Sequence, residues 1–76
     1  MNDLRRKALQ EIDKKLGEIL DELDSVENAE KDYRDSIPGP LQHSKRYERA
    51  DAVCDALHDA IGYVDEAIAS VRKAAK

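Results

Sequence analysis

Apolar residues recur along the chain at alternating spacings of three and four, with one interruption. The first series runs Leu9, Ile12, Leu16, Ile19, Leu23, Val26, Glu30, Tyr33 and Ile37. The second runs Tyr47, Ala50, Cys54, Leu57, Ile61, Val64, Ile68, Val71 and Ala75. This is the heptad seam of α-helices that pack on one another. Nowhere does the chain alternate with the period of two that a strand requires. The break falls at Pro38-Gly39-Pro40, where proline cannot continue a helix and turns the preceding residue towards extended geometry. The pattern predicts an all-α chain with one domain, 1–76. A first helix covers about 3–36 with Asn2 or Asp3 as N-cap, a loop covers 37–43, and a second helix covers about 44–74 with Ser44 as cap. So short a loop makes the two long helices antiparallel neighbours, a helical hairpin. At ~1.5 Å per residue each arm is roughly 45–50 Å long. The implied register sets Tyr33 near Tyr47, Val26 near Cys54 and Leu16 near Val64. Glu30, opposite Ala50, is the one polar member of the seam.

More apolar surface is present than one seam uses. The second helix carries Val53, Ala60, Ala67 and Ala74 at spacings of seven, with Ala52, Ala56 and Ala69 nearby. The first adds Ala8, Leu20 and Ala29. Faces this wide call for more than one partner helix, and small residues permit close approach. The expectation is a homo-oligomer, most simply two hairpins forming a four-helix bundle, with Val53, Leu57, Ala60, Val64, Ala67 and Val71 at or near the self-contact. The plainer reading leaves these alanines as good helix formers on a wet surface.

Composition narrows the classes. The 76 residues are 41% apolar and 39% charged, too apolar for a disordered tail and too charged for a membrane protein. Aromatics amount to three Tyr, so Leu, Ile, Val and Ala must build the core. No apolar run approaches the ~20 residues of a membrane span, and no signal-peptide pattern opens the chain. One Cys rules out an intrachain disulfide and fits a reducing, cytoplasmic compartment. A net charge of −4 makes duplex nucleic acid a poor partner.

Charge is segregated along the rod. Arg5, Arg6, Lys7, Arg72, Lys73 and Lys76 gather at its open end. An acidic waist, Glu11 to Glu27 on one arm and Asp55 to Glu66 on the other, reads as a solvated outer face. The loop end is more informative. Lys45, Arg46 and Arg49 crowd the start of a helix, where stability favours acids. Free N–H groups together with cations suit an anion, and Tyr33 and Tyr47 can stack on a base. Tyr33, Arg34, Lys45, Arg46, Tyr47 and Arg49 are therefore the candidate ligand-binding set for an anionic small molecule. The competing reading pairs these cations with adjacent acids and uses the tyrosines to plug the bundle end.

Catalytic patterns are missing. The three Gly are scattered at 17, 39 and 62, so no glycine loop cradles a phosphate. His43 and His58 lie far apart, no Glu-x-x-His pair exists for a di-iron bundle, and Cys54 falls on the seam as a small buried thiol. No nucleophile stands beside a base. The expectation is a protein that is not an enzyme and uses no metal or cofactor.

The segment Ile37-Pro38, Leu41-Gln42, Ser44, Arg46-Tyr47-Glu48, Ala50, Val53, Asp55-Ala56-Leu57 and Ala60-Ile61 resembles a family of small acidic helical proteins from phages and prophages of Gram-positive bacteria. These carry a Pro-x-x-Leu-Gln-x-Ser-x-Arg-Tyr-Glu pattern before an amphipathic helix. The resemblance covers about a third of the chain. It departs at Gly39-Pro40, where Glu-Asn is frequent, and at His43, where Gly is frequent. It implies a bacterial host cytoplasm and brings two expectations. One is an oligomeric anti-defence protein that sequesters an anionic nucleotide signal. The other is a module that docks a host or phage protein through its acidic or apolar helix face.

Overall fold

The computed structural model describes the whole chain, residues 1–76. Helix α1 spans Asp3–Asp35, a single 3-10 turn spans Gly39–Leu41, and helix α2 spans Lys45–Ala74. The helices pack against each other as a rod of 59 × 15 × 12 Å. Asn2 caps α1 by accepting from the Arg5 N–H at 2.8 Å. Ser44 caps α2 by accepting from the Tyr47 N–H at 3.3 Å. Between them the loop holds itself with backbone bonds from Leu41 to Pro38, Gln42 to Gly39 and Ser44 to Leu41. The buried Ile37 plugs the corner. No residue adopts a positive φ, Gly39 included, so the prolines make this corner without a left-handed position.

The seam of α2 lies where the pattern puts it. Ala50, Cys54 and Ile68 are buried, and Tyr47, Leu57, Ile61, Val64, Val71 and Ala75 are half-buried. Helix α1 differs. Its central row, Leu9, Leu16 and Leu23, is half-buried, but Ile12, Ile19, Val26 and Tyr33 are 42–50% exposed. In their place the row one position further on turns inward: Asp13, Leu20 and Arg34 are half-buried and Glu27 is only 6% exposed. The acidic waist therefore does not face wholly outward, and Glu27 rather than Glu30 is the buried polar member of the seam.

Three contacts across the helices accompany the rotation. Arg72 Nε donates to Asp13 Oδ2 at 2.9 Å, His58 Nδ1 stands 3.8 Å from Glu27 Oε2, and Arg34 Nη1 donates to Asp51 Oδ1 at 2.9 Å. Descending α1 from Arg34 to Glu27 is one heptad, as is climbing α2 from Asp51 to His58, so these contacts form a ladder along one edge. Hydrogen bonding to Asp13 raises the Arg72 pKa, and hydrogen bonds to Asp35 and then Asp51 raise that of Arg34. Each exposed pair contributes little, about 0–1 kcal/mol, so the ladder marks the flank that meets α2 without outweighing the apolar area left open on the other. Glu27 also pairs with Lys31 at 2.6 Å, while its Oε2 has no hydrogen-bond partner.

Two outcomes follow for stability. A Cβ at Gly17 or Gly62, both inside helices, meets nothing within 4 Å. Gly17→Ala and Gly62→Ala should each stabilise by about 0.5–1 kcal/mol, read as a melting point several degrees higher. Glu27→Leu removes a buried carboxylate with an unpartnered oxygen and should raise stability on the order of 1 kcal/mol. Lys31, whose pKa the hydrogen bond to Glu27 raises above its ordinary 10.5, helps the folded state fully below that value and loses its effect as pH climbs through the raised one. Melts of wild type and Lys31→Met should therefore differ at neutral pH and converge in strong alkali.

Candidate functional site

At the loop end, on the edge opposite the ionic ladder, the helices part into a groove of about 340 Å3. Glu30 and Tyr33 of α1 form one wall, and Lys45, Arg46, Arg49, Ala50 and Val53 of α2 the other. The volume lies within the ~300–1,000 Å3 of small-molecule sites. Heptad geometry assembles it. Arg46 and Val53 are seven apart on α2, and the 3-10 turn brings the first turn of that helix level with Tyr33. Arg46 Nε donates to the Tyr33 hydroxyl at 2.7 Å, and the guanidinium carbon sits 5.3 Å from the ring centre. This contact fixes the Tyr33 ring and spends one of the five N–H donors of Arg46, leaving the rest for a ligand.

The electrostatics of the groove are unbalanced. Lys45, Arg46 and Arg49 make no ion pair within 4 Å, and neither does Glu30, the only acid in the wall. Elsewhere three of the four remaining arginines are occupied, Arg5 being the exception. Arg34 holds Asp35 and Asp51, Arg72 holds Asp13, and Arg6 holds Asp3 while donating to the Ala75 and Met1 carbonyls. At the open end Arg6 and Arg72 are engaged while Arg5, Lys7, Lys73 and Lys76 are unpaired on the surface; the three groove cations differ in lining one concave wall. They also sit at the positive end of the α2 dipole, whose Ser44 cap satisfies the Tyr47 N–H. What the arrangement can do chemically is receive negative charge beside an aromatic face.

Of the residues singled out in the sequence, Tyr33, Lys45, Arg46 and Arg49 converge on the groove. Arg34 does not: it lies on the row that carries the ionic ladder, beneath the opposite edge. Tyr47 is half-buried in the seam and is not part of the groove wall. Sequence reasoning missed Ala50 and Val53 as wall residues, although the seven-residue step from Arg46 to Val53 was readable. Among the residues expected at a self-contact, Val53 and Ala67 are exposed, and Leu57, Ala60, Val64 and Val71 are half-buried, with Leu57, Val64 and Val71 continuing the seam towards α1. Cys54 is buried and free. No group of three or more His, Cys, Asp or Glu side chains gathers as a metal site, and no helix is long and apolar enough to cross a membrane.

No family model, curated protein or solved structure matches the chain.

If the cations are there to fold the hairpin, removing them should weaken it. The geometry gives the opposite expectation. Lys45→Ala should raise stability by about 0.3–1 kcal/mol at low salt, because it removes an unpaired positive charge in the first turn of α2, and Arg49→Ala should leave the melting point unchanged, whereas Arg46→Ala also loses the contact with Tyr33. Arg34→Ala should lower the melting point. Thermal melts followed by circular dichroism at low and high salt separate these cases.

Proposed function

We propose that the chain is a non-enzymatic binding protein whose loop-end groove holds a small anionic molecule carrying phosphate. The observation that supports this most is the set of three cations, Lys45, Arg46 and Arg49, that line one groove without a carboxylate partner. In the same molecule Arg6, Arg34 and Arg72 are each engaged by an acid. Phosphate oxygens would take the guanidinium and ammonium donors, and a planar base would lie against Tyr33. Glu30, in the same wall, would accept from a ligand hydroxyl or amine. The narrower reading, sequestration of a nucleotide signal in an infected bacterial cell, draws on the resemblance of the loop and early α2 to small phage proteins.

A second reading is favoured by a different observation, the exposed apolar row Ile12, Ile19 and Val26 beside the acidic waist. It makes the hairpin a module that docks a host or phage protein. Charge reversal at Asp21, Asp24 and Asp59 would weaken that docking and would leave anion binding in the groove intact.

The test is thermal stabilisation and calorimetry with pyrophosphate, mononucleotides and cyclic dinucleotides. A groove ligand at 100 times its Kd adds about 2.7 kcal/mol, a melting shift on the order of 10 °C for a chain of this length. Arg46→Ala or Arg49→Ala should lower affinity at least tenfold, Arg34→Ala should not, and binding should weaken as salt rises. Absence of any shift at millimolar concentrations across these anions would overturn the proposal.

A further inference from the structure

The edge opposite the ionic ladder has no partner within the chain. The Tyr33–Arg46 contact ties the exposed row of α1 to a row of α2. Stepping away from it by sevens sets Val26 level with Val53, Ile19 with Ala60, and Ile12 with Ala67. All six are uncharged, in a chain in which 39% of residues are charged. The sides differ in size: β-branched residues stand on α1, and two of the three on α2 are Ala. The hairpin alone encloses little. Five residues are buried and no side chain falls below 2% exposure, which is thin for a chain of this size.

We infer that a second copy of this chain covers the face, α1 of each copy lying over α2 of the other with both loop ends together. Two features of the face argue for a second copy. The whole side of the rod on which the face lies measures 59 Å by 15 Å, room for the ~800 Å2 per partner of a stable interface, with the three apolar levels covering about 21 Å of its length. It is also complementary to itself. A twofold axis along the rod keeps every level and lays Ile19 over the partner's Ala60, and Ile12 over the partner's Ala67, so large meets small at two of the three levels and Val26 meets the partner's Val53 at the third. A twofold axis across the rod would lay α1 on α1, crowding Ile19 against its own copy and leaving alanine facing alanine with a gap. Neighbouring helices in the chosen arrangement are all antiparallel, as in an up-down four-helix bundle.

The arrangement has a consequence for the groove, and this part rests on the anion-binding reading. The groove is the loop-end continuation of the same face, through Tyr33 and Val53. Two copies with loops together face their grooves at each other, and Lys45, Arg46 and Arg49 of both line one enclosed space. Repulsion among these cations opposes assembly until an anion enters. Anion binding and dimer formation therefore strengthen each other.

Sedimentation equilibrium of the wild-type chain gives the mass, and pulsed dipolar spectroscopy gives the arrangement, with a spin label on His43→Cys in a Cys54→Ala background whose helicity is checked. The expected result is two chains per particle, loop labels within about 30 Å given ~10 Å between helix axes, and a melting point that rises with chain concentration. Ile19→Glu should shift the mass to one chain or unfold the protein, and Asp21→Lys on the outer surface should do neither. Labels separated by about the 59 Å of the rod would overturn the arrangement. A stable, fully helical single chain at all concentrations would overturn the assembly itself. Pyrophosphate should tighten the dimer. If it does not while the dimer and label distance stand, the anion reading fails and the packing survives.

Discussion

Two helices can close only one seam, and the way α1 is turned about its own axis decides everything else in this molecule. The central row of α1 has a flank on each side, one of Asp13, Leu20, Glu27 and Arg34, the other of Ile12, Ile19, Val26 and Tyr33. Packing against α2 buries the first and leaves the second open. On area alone the apolar flank would go inside, each fully buried Ile or Val contributing about 1.5–3 kcal/mol. The charged flank faces α2 instead, with Arg72, His58 and Asp51 opposite it in matching heptad steps, and the apolar area it leaves open is more than these pairs return. Arg34 and Glu27, once turned inward, need these partners to offset their desolvation. The result is a rod with a polar, latched edge and an apolar, open one.

That asymmetry also places the groove. With α1 turned this way, Tyr33 emerges on the open edge and meets Arg46, and Glu30 lines the wall beside it. Arg34 emerges on the latched edge, where Asp51 and Asp35 neutralise it. A rotation of one residue would exchange these roles, spending the groove's tyrosine in the seam and freeing Arg34. Fold and candidate site are thus set by one choice, the flank of α1 that α2 accepts.

How far the sequence reveals this can be judged element by element. The hairpin, its corner and both caps follow from heptad spacing, Pro38-Gly39-Pro40, Asn2 and Ser44. The α2 seam is legible because its flanks differ plainly in polarity, so hydrophobicity alone finds Cys54 and Ile68. In α1 the two flanks compete, and a reading based on hydrophobicity sends Ile12, Ile19 and Val26 inward and Glu27 outward. The signal that marks the inward flank lies between the helices, in acids at 13, 27 and 51 facing bases at 72, 58 and 34. It is visible only when the two rows are read against each other. Lys45, Arg46 and Arg49 were legible as a cluster that helix electrostatics disfavours. Their lack of carboxylate partners is a matter of rotamers and register, which no spacing rule supplies.

On the dimer and anion-binding proposals, the hairpin is half of an assembly in which a second copy covers the open edge and an anion meets the groove cations. Mass spectrometry under native conditions, on the wild-type chain with and without pyrophosphate, reports subunit count and anion occupancy in one spectrum. It should show a particle of two chains that carries the anion and gains intensity over the single chain when the anion is added. A compact single chain with nothing bound, unchanged by pyrophosphate, would contradict the account at its centre.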